Sequence, residues 1–189
     1  MTHKSTGVSQ QIVTSCHAEG NFGSDNVEMR KFLRRVLGTR EGSIEKILNG
    51  DAPLRSRIEQ ALSHYLKRLE AERGCLILEI PGSAPEIIHV GPKELEERFP
   101  FSRAVVDKVL DEGRGFYCYD SHHDFEAADS ESLNSQGARS FVCTPLKIRE
   151  TYCGTIYLDN PTSKGTFHQE SLADLERFAE LLAHKLSSA

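Results

Sequence analysis

Gly137 to Asn160 reads GARSFVCTPLKIRETYCGTIYLDN and holds two short apolar runs. Ser140 to Leu146 is the first, Cys153 to Leu158 the second, and the polar link Lys147 to Thr151 lies between them. Both runs are rich in β-branched and aromatic residues, and both are too short for an ordinary helix. They predict two adjacent antiparallel strands in the middle of a sheet. Pro145 removes a backbone donor, which places an edge or a bulge in its strand.

Downstream, Pro161 to Thr166 reads as a loop. Thr166 with Gln169 matches a capping box, and His168 is an alternative cap. The helix that follows carries Leu172, Leu175, Phe178, Ala179, Leu182 and Leu186 on one face. Upstream, Phe116 to Tyr119 is a third strand. Ser102 caps a helix over Arg103 to Asp111 whose buried face is Val105, Val106, Val109 and Leu110, with Gly113 and Gly115 closing it. Cys75 to Ile80 and Glu86 to Val90 are strands flanked by Pro- and Gly-rich turns. Asn49 to Pro53 is a break, and Pro53 fits the first turn of a helix over Leu54 to about Glu72. That helix carries the stripe Leu54, Ile58, Ala61, Leu62, Tyr65, Leu66 and Leu69. Each large side chain in such a stripe gains roughly 1.5–3 kcal/mol on burial, so the face must pack on something, a sheet or a second subunit.

The order of helix, two strands, helix, strand, irregular loop, two strands and helix predicts an α+β fold with a central antiparallel sheet covered by helices. The expected organisation is a disordered tail or linker over 1–25, a helical extension over 26–53, and a domain over 54–189. Within the extension, Val27, Met29, Phe32, Leu33, Val36 and Leu37 alternate with Arg30, Lys31, Arg34 and Arg35 as an amphipathic helix.

Hydrophobic residues make up 38% and charged residues 27%, the balance of a soluble globular chain. No apolar run is long enough to span a bilayer and no signal-type segment opens the chain. The formal net charge of −5 argues against nucleic acid as a direct partner. The cysteines are Cys16, Cys75, Cys118, Cys143 and Cys153, odd in number and without a C-x-x-C pair. They read as reduced thiols, most of them buried, in a cytoplasmic protein. No Gly-rich phosphate loop or nucleophile elbow appears, so no enzyme is expected.

Asp120 to Gln136 is long for a connection within a compact domain and reads as a functional loop. His122, His123, Asp124, Glu126 and Asp129 offer nitrogen and oxygen donors, but adjacent histidines point apart on regular structure, and a solvated polar loop is the simpler reading.

Arg139-Ser140, Cys143-Thr144-Pro145-Leu146, Gly154 and Tyr157-Leu158-Asp159-Asn160 together resemble the second half of a GAF domain. Phe167 and the helix Ser171 to Ser187 follow in the places the family gives them, and Glu72 to Leu78 resembles its first strand. The resemblance covers roughly Leu54 to Leu186. It implies an antiparallel sheet with the N- and C-terminal helices on one face and a loop-covered pocket on the other. Carried over by position, Tyr119, Asp120, Phe125, Ser135, Arg139, Cys143 and Tyr157 would face a small-molecule ligand. Arg139 is suited to an anion, while Tyr119 and Phe125 offer rings to stack on. An ion pair of Arg139 with Asp120 or Asp159 is the structural alternative. Phe116, Phe141 and Ile156 read as core.

Cyclic-nucleotide-binding relatives carry an Asn-Lys…Phe…Asp-Glu signature. Here Asn160 is followed by Pro161, Lys164 and Phe167 stand near the expected places, and Gln169-Glu170 replaces Asp-Glu. The Cys-His pair of bilin-binding relatives is missing from the domain. So are the Trp motif and cysteine spacing of the branch that reduces methionine sulfoxide. The cofactor is therefore unknown.

The resemblance implies a sensory or regulatory module of bacterial-type signalling that binds a small molecule. It would signal as a homodimer through the faces of Leu54–Glu72 and Ser171–Leu186. A ligand-free dimerisation scaffold, broken by charges at Leu62 and Leu182, is the second reading, and a metal or redox sensor the third. The chain is expected to be either a fragment of a larger regulator or a free-standing domain.

Overall fold

The computed structural model describes residues 43–79, 82–92, 101–124 and 137–187, without the side chains at 123 and 124. The expected tail over 1–25, the amphipathic helix after Asn26 and most of the Lys93 to Phe101 connection lie outside the described residues.

The two runs that decide the fold form a hairpin. β4 spans Ser140–Ile148 and β5 spans Thr151–Asn160, both longer than the apolar runs alone. The loop shrinks to Arg149 and Glu150, and Arg149 takes a φ of +55°. Polar Lys147 pairs with Tyr152, and Thr151 with Ile148, because backbone hydrogen bonds continue past the apolar residues. The register shifts between Leu146 and Lys147, one residue beyond Pro145. Pro145 itself pairs with Thr155 on one side, and on its other side the short strand β3, Phe116–Cys118, has already ended. Its missing donor therefore costs no ladder bond.

β1, Arg73–Leu78, runs antiparallel to β5, and β2, Glu86–Val90, pairs with β1. The sheet order is β2-β1-β5-β4-β3, so β5 is central. A glycine is required where β5 meets β1. A Cβ on Gly154 would lie 2.0 Å from the carbonyl oxygen of Ile77.

Alternation along the strands gives the sheet two packed faces. Leu76, Ile88, Val142, Leu146, Ile156 and Leu158 point to one side, with α2, Leu54–Arg68, and α5, Gln169–Ser187. A short helix over 43–48, α1, adds Ile44 and Leu48 to that core. Cys75, Ile77, Phe116, Cys118, Phe141, Cys143 and Tyr157 point to the other side, beneath α3, Arg103–Glu112. A single turn, α4, Ser121–Asp124, follows β3. The α+β expectation holds, with an antiparallel sheet and terminal helices on one face.

Ser102 caps α3, its hydroxyl accepting from the Val105 N–H, and Gly113 ends the helix at a φ of +64°. Pro53 sits at the N-cap of α2, one position before the expected first turn. α2 stops at Arg68, short of Glu72, because Glu70 turns left-handed at a φ of +55° and releases Arg73 into β1. At the start of α5, His168 precedes the helix and its N–H donates to Ser171 Oγ at 3.2 Å. The Thr166 hydroxyl is used elsewhere, so the alternative cap is the one found.

The stripes of α2 and α5 pack on each other and on the sheet. Tyr65 stacks on Phe178 with ring centroids 4.3 Å apart. Arg68 forks onto Asp174 at 2.7 and 2.8 Å, and both side chains are nearly buried. Leu62 and Leu182 are fully buried within the one chain. They are not available as the dimer seam expected from their spacing. A stripe announces burial, and here the partner is the same chain. No helix among the described residues is long and apolar enough to cross a membrane.

Glu176 on α5 is half-buried, and desolvation together with Glu180 one turn on pushes its carboxyl up to about 7. The folded state holds that proton more tightly than the unfolded chain does. Its contribution to stability is therefore complete below about pH 4.5 and is lost as pH rises through 7. Thermal unfolding should show a melting temperature that falls between pH 5 and 7, with a flatter profile and a higher value at pH 7 for Glu176→Gln. Parallel profiles for the two proteins would remove Glu176 as the cause.

Candidate functional site

At the open end of the α3 side of the sheet, β3 runs out at Cys118 and β4 has just begun at Ser140. Asp120 follows β3 and Arg139 precedes β4. The Ser121 N–H donates to the Arg139 carbonyl at 2.8 Å, and Ser121 Oγ donates to the Ala138 carbonyl at 2.7 Å. These bonds place the two side chains together. Arg139 Nη2 lies 2.8 Å from Asp120 Oδ2, and Lys164 Nζ approaches the same oxygen at 4.0 Å. Asp120 Oδ1 accepts from the His122 N–H, which orders the first turn of α4.

Arg139 Nη1 also meets His122 Nδ1. A guanidinium only donates, so the imidazole nitrogen accepts and the other ring nitrogen carries the hydrogen. Asp120 is buried, Arg139 is partly exposed and Lys164 is largely exposed. Tyr119 stands beside them, 49% exposed, in a tilted contact with the His168 ring at 6.0 Å. Among the described residues the cluster holds the cations of Arg139 and Lys164 against the Asp120 carboxylate, with an accessible ring alongside.

A second group of charges lies one row further in on the same face, across β5 and β1. Arg73 reaches Asp159 with two bonds at 2.5 and 3.1 Å, and both side chains are buried. The Tyr157 hydroxyl donates to Asp159 Oδ2 at 3.1 Å. Burial pushes the Asp159 carboxyl up to about 6 against the pull of Arg73, and burial also drives the Tyr157 phenol upward.

The residues expected to face a ligand therefore divide into two sets. Tyr119, Asp120 and Arg139 come together at an accessible edge, joined by Lys164. Cys143 and Tyr157 do not reach that edge. They are fully buried with Phe141, which stacks on Tyr157, and they belong to the core under α3. Burial pushes the Cys143 and Cys75 thiols up, which keeps them protonated. Phe125 and Ser135 lie outside the described residues, as do Glu126, Asp129 and the side chains of His123 and Asp124. Among the described residues no three His, Cys, Asp or Glu side chains gather as a metal site. The structural alternative for Arg139 is realised with Asp120, while Asp159 is taken by Arg73.

The signature-like residues have local tasks. Asn160 Oδ1 accepts from the Glu72 N–H at 2.6 Å, and its amide donates to the Glu70 carbonyl at 3.0 Å and to Thr166 Oγ1 at 2.8 Å. Asn160 thereby joins the α2–β1 corner to the end of β5. Phe167 is fully buried in the core shared with α2 and α5. Glu170 is exposed in the first turn of α5. Sequence reading missed His122 as a partner of Arg139 and Lys164 as a member of the Asp120 cluster. The only available signal was that all of them sit in polar loops, which does not say which loops meet.

A family model described as GAF domain matches residues 31–186. No curated protein matches the sequence. Among solved structures, the fold is similar to residues 122 to 287 of a methyl-accepting chemotaxis protein, at a TM-score of 0.61 and 13% identity, covering 76% of this chain and 94% of that one. It is also similar to a GAF domain region from Geobacter sulfurreducens PCA, at 0.58 and 16%, covering 82% and 99%. A third is the phycocyanobilin-bound GAF domain of a cyanobacterial phytochrome, at 0.58 and 15%, covering 84% and 93%. At these identities the likeness establishes the fold alone.

Proposed function

The chain belongs to the GAF domain family, and from that membership we propose that it is a sensory or regulatory domain that binds a small anionic molecule at the Asp120–Arg139–Lys164 edge. One observation carries this reading: Arg139 and Lys164 converge on a single carboxylate beside the exposed ring of Tyr119. An incoming carboxylate or phosphate would take the guanidinium fork in place of Asp120, and a flat group on the same molecule would lie on Tyr119. The role is one of binding, not catalysis, in keeping with the buried, protonated thiols. The output is read by a second copy or a partner protein. It passes through surfaces other than the Leu62 and Leu182 stripes.

Native mass spectrometry of the purified protein gives subunit number and retained mass. Thermal unfolding is then scanned against inorganic phosphate, free amino acids and purine mononucleotides. A ligand present at about 100 times its Kd adds roughly 2.7 kcal/mol, a shift of several degrees for a chain of this size. Arg139→Ala should retain the fold and lose that shift. An unchanged shift in the variant would reject the site.

A second reading is favoured by the closure of Cys143, Tyr157 and Phe141 beneath α3. In it the domain fills its own pocket and serves as a docking scaffold. It predicts a clean apo mass and no stabilisation by any of the three probes.

A further inference from the structure

Between β5 and α5 the chain runs through residues 161–168, and this short segment is fastened at both ends. On the side of the charged cluster, the Gly165 N–H donates to the Tyr119 carbonyl at 2.8 Å, and Ser140 Oγ donates to the Ser163 carbonyl at 2.7 Å. Tyr119 and Ser140 are the chain neighbours of Asp120 and Arg139. Lys164, from the same segment, faces Asp120. The crossing is close: Gly165 has a φ of +75°, and a Cβ there would lie 2.9 Å from the Tyr119 ring.

On the far side, Thr166 Oγ1 accepts from the Asn160 amide that also donates to the Glu70 carbonyl. The Thr162 hydroxyl donates to Glu72 Oε1 at 3.0 Å. Phe167 is locked in the core with α2 and α5, and the carbonyl of His168 accepts the first helical bond of α5 from Leu172.

We propose that residues 161–168 act as a strap that transmits the state of the Arg139–Asp120–Lys164 cluster to the first turn of α5 and to the α2–β1 corner. The strap's regulatory sense rests on the anion-binding reading given above. An anion that draws Lys164 and Arg139 from Asp120 moves the anchors at Tyr119, Lys164 and Ser140. Because Asn160 and Phe167 tie the two ends of the segment to the α2–β1 corner and to the core with α5, a displacement of residues 163–165 passes to those places and is not absorbed as loop slack. The ligand biases the two strap positions only by its different affinity for them, and the coupling is reciprocal.

Amide hydrogen exchange on the full chain tests the strap without a ligand. Asp120→Asn weakens the cluster from the carboxylate side. Exchange at residues 168–172 and 70–72 should rise by about fivefold or more, while amides of β1 and β2 hold their rates. A rise that stops at residues 119–122 and 139–140 overturns the proposal. If Asp120→Asn loses its fold, Lys164→Gln makes the same comparison, since that side chain is largely exposed.

Inorganic phosphate added to the unaltered protein is a separate arm. A phosphate response at residues 139 and 164 that also reaches 168–172 supports the strap. A response confined to 139 and 164 overturns it. No response at 139 and 164 counts against the anion-binding reading, and the substitution arm then decides the strap alone.

Discussion

Gly154→Ala should destabilise the protein by about 3 kcal/mol or more, lowering the melting temperature of a chain this size by roughly 6–12 °C. The added methyl would lie 2.0 Å from the Ile77 carbonyl oxygen, and this neighbour is backbone in the central ladder, where no rotamer change can relieve it. The β1–β5 pairing must part or shift, and it is the pairing that joins the two halves of the sheet. Gly82→Ala is the comparison, a site with backbone strain but open space. Gly82 has a positive φ, +76°, which Gly154 does not, and nothing lies within 4 Å of a Cβ there, so the backbone penalty of about 1–2 kcal/mol is all that applies. Chemical denaturation of the two variants checks the comparison, and a Gly154→Ala loss no larger than that of Gly82→Ala would show that the close approach to Ile77 is relieved at little cost.

The second large effect is expected at the buried ion pair. Arg73→Ala leaves Asp159 without its cation in a site where it is fully enclosed, a loss of about 3–5 kcal/mol. The loss should depend on pH in a defined direction. Burial already raises the Asp159 carboxyl to about 6, and without Arg73 it rises further. An acid whose folded value lies above its unfolded value favours folding when protonated, so the variant should regain stability as pH falls toward 5 and be weakest near pH 8. Arg73→Met combined with Asp159→Asn should recover much of the loss at pH 8, since no charge is then stranded and the amide oxygen still accepts from Tyr157. Urea unfolding at pH 5 and pH 8 measures each of these. A single variant with a flat pH response would show that Asp159 is not what the substitution strands.

These two sites show where sequence reading works and where it stops. The hairpin was legible because period-two alternation and short length are local properties of Ser140 to Leu158. The Ser102 cap and the Gly113 stop on α3 were legible for the same reason. The Arg73–Asp159 pair was not, because its members are more than eighty residues apart and meet only through strand register. The family resemblance implies that Tyr157 and Cys143 face a pocket. Whether they line a space or a core depends on how closely α3 lies over them, which no local pattern records. The stripes on α2 and α5 announced burial correctly but carried no label for their partner. The cluster at Asp120 was half legible. Arg139 and Asp120 were singled out, while His122 and Lys164 joined them through loops whose paths follow from the finished sheet.

The hairpin has a further consequence, for the order of assembly. β5 pairs with β4 across a turn of Arg149 and Glu150, whereas its other neighbour, β1, closes a loop of roughly seventy residues. The first pairing is local and costs little chain entropy; the second must wait for a distant segment to arrive. Until β1 docks, the strand destined for the middle of the sheet presents an open edge with Thr155, Ile156 and Leu158 along it, an invitation to a strand of another chain. The architecture that ends with β5 as the most protected strand thus begins with β5 as the most exposed one, and the late capture of β1 separates folding from aggregation.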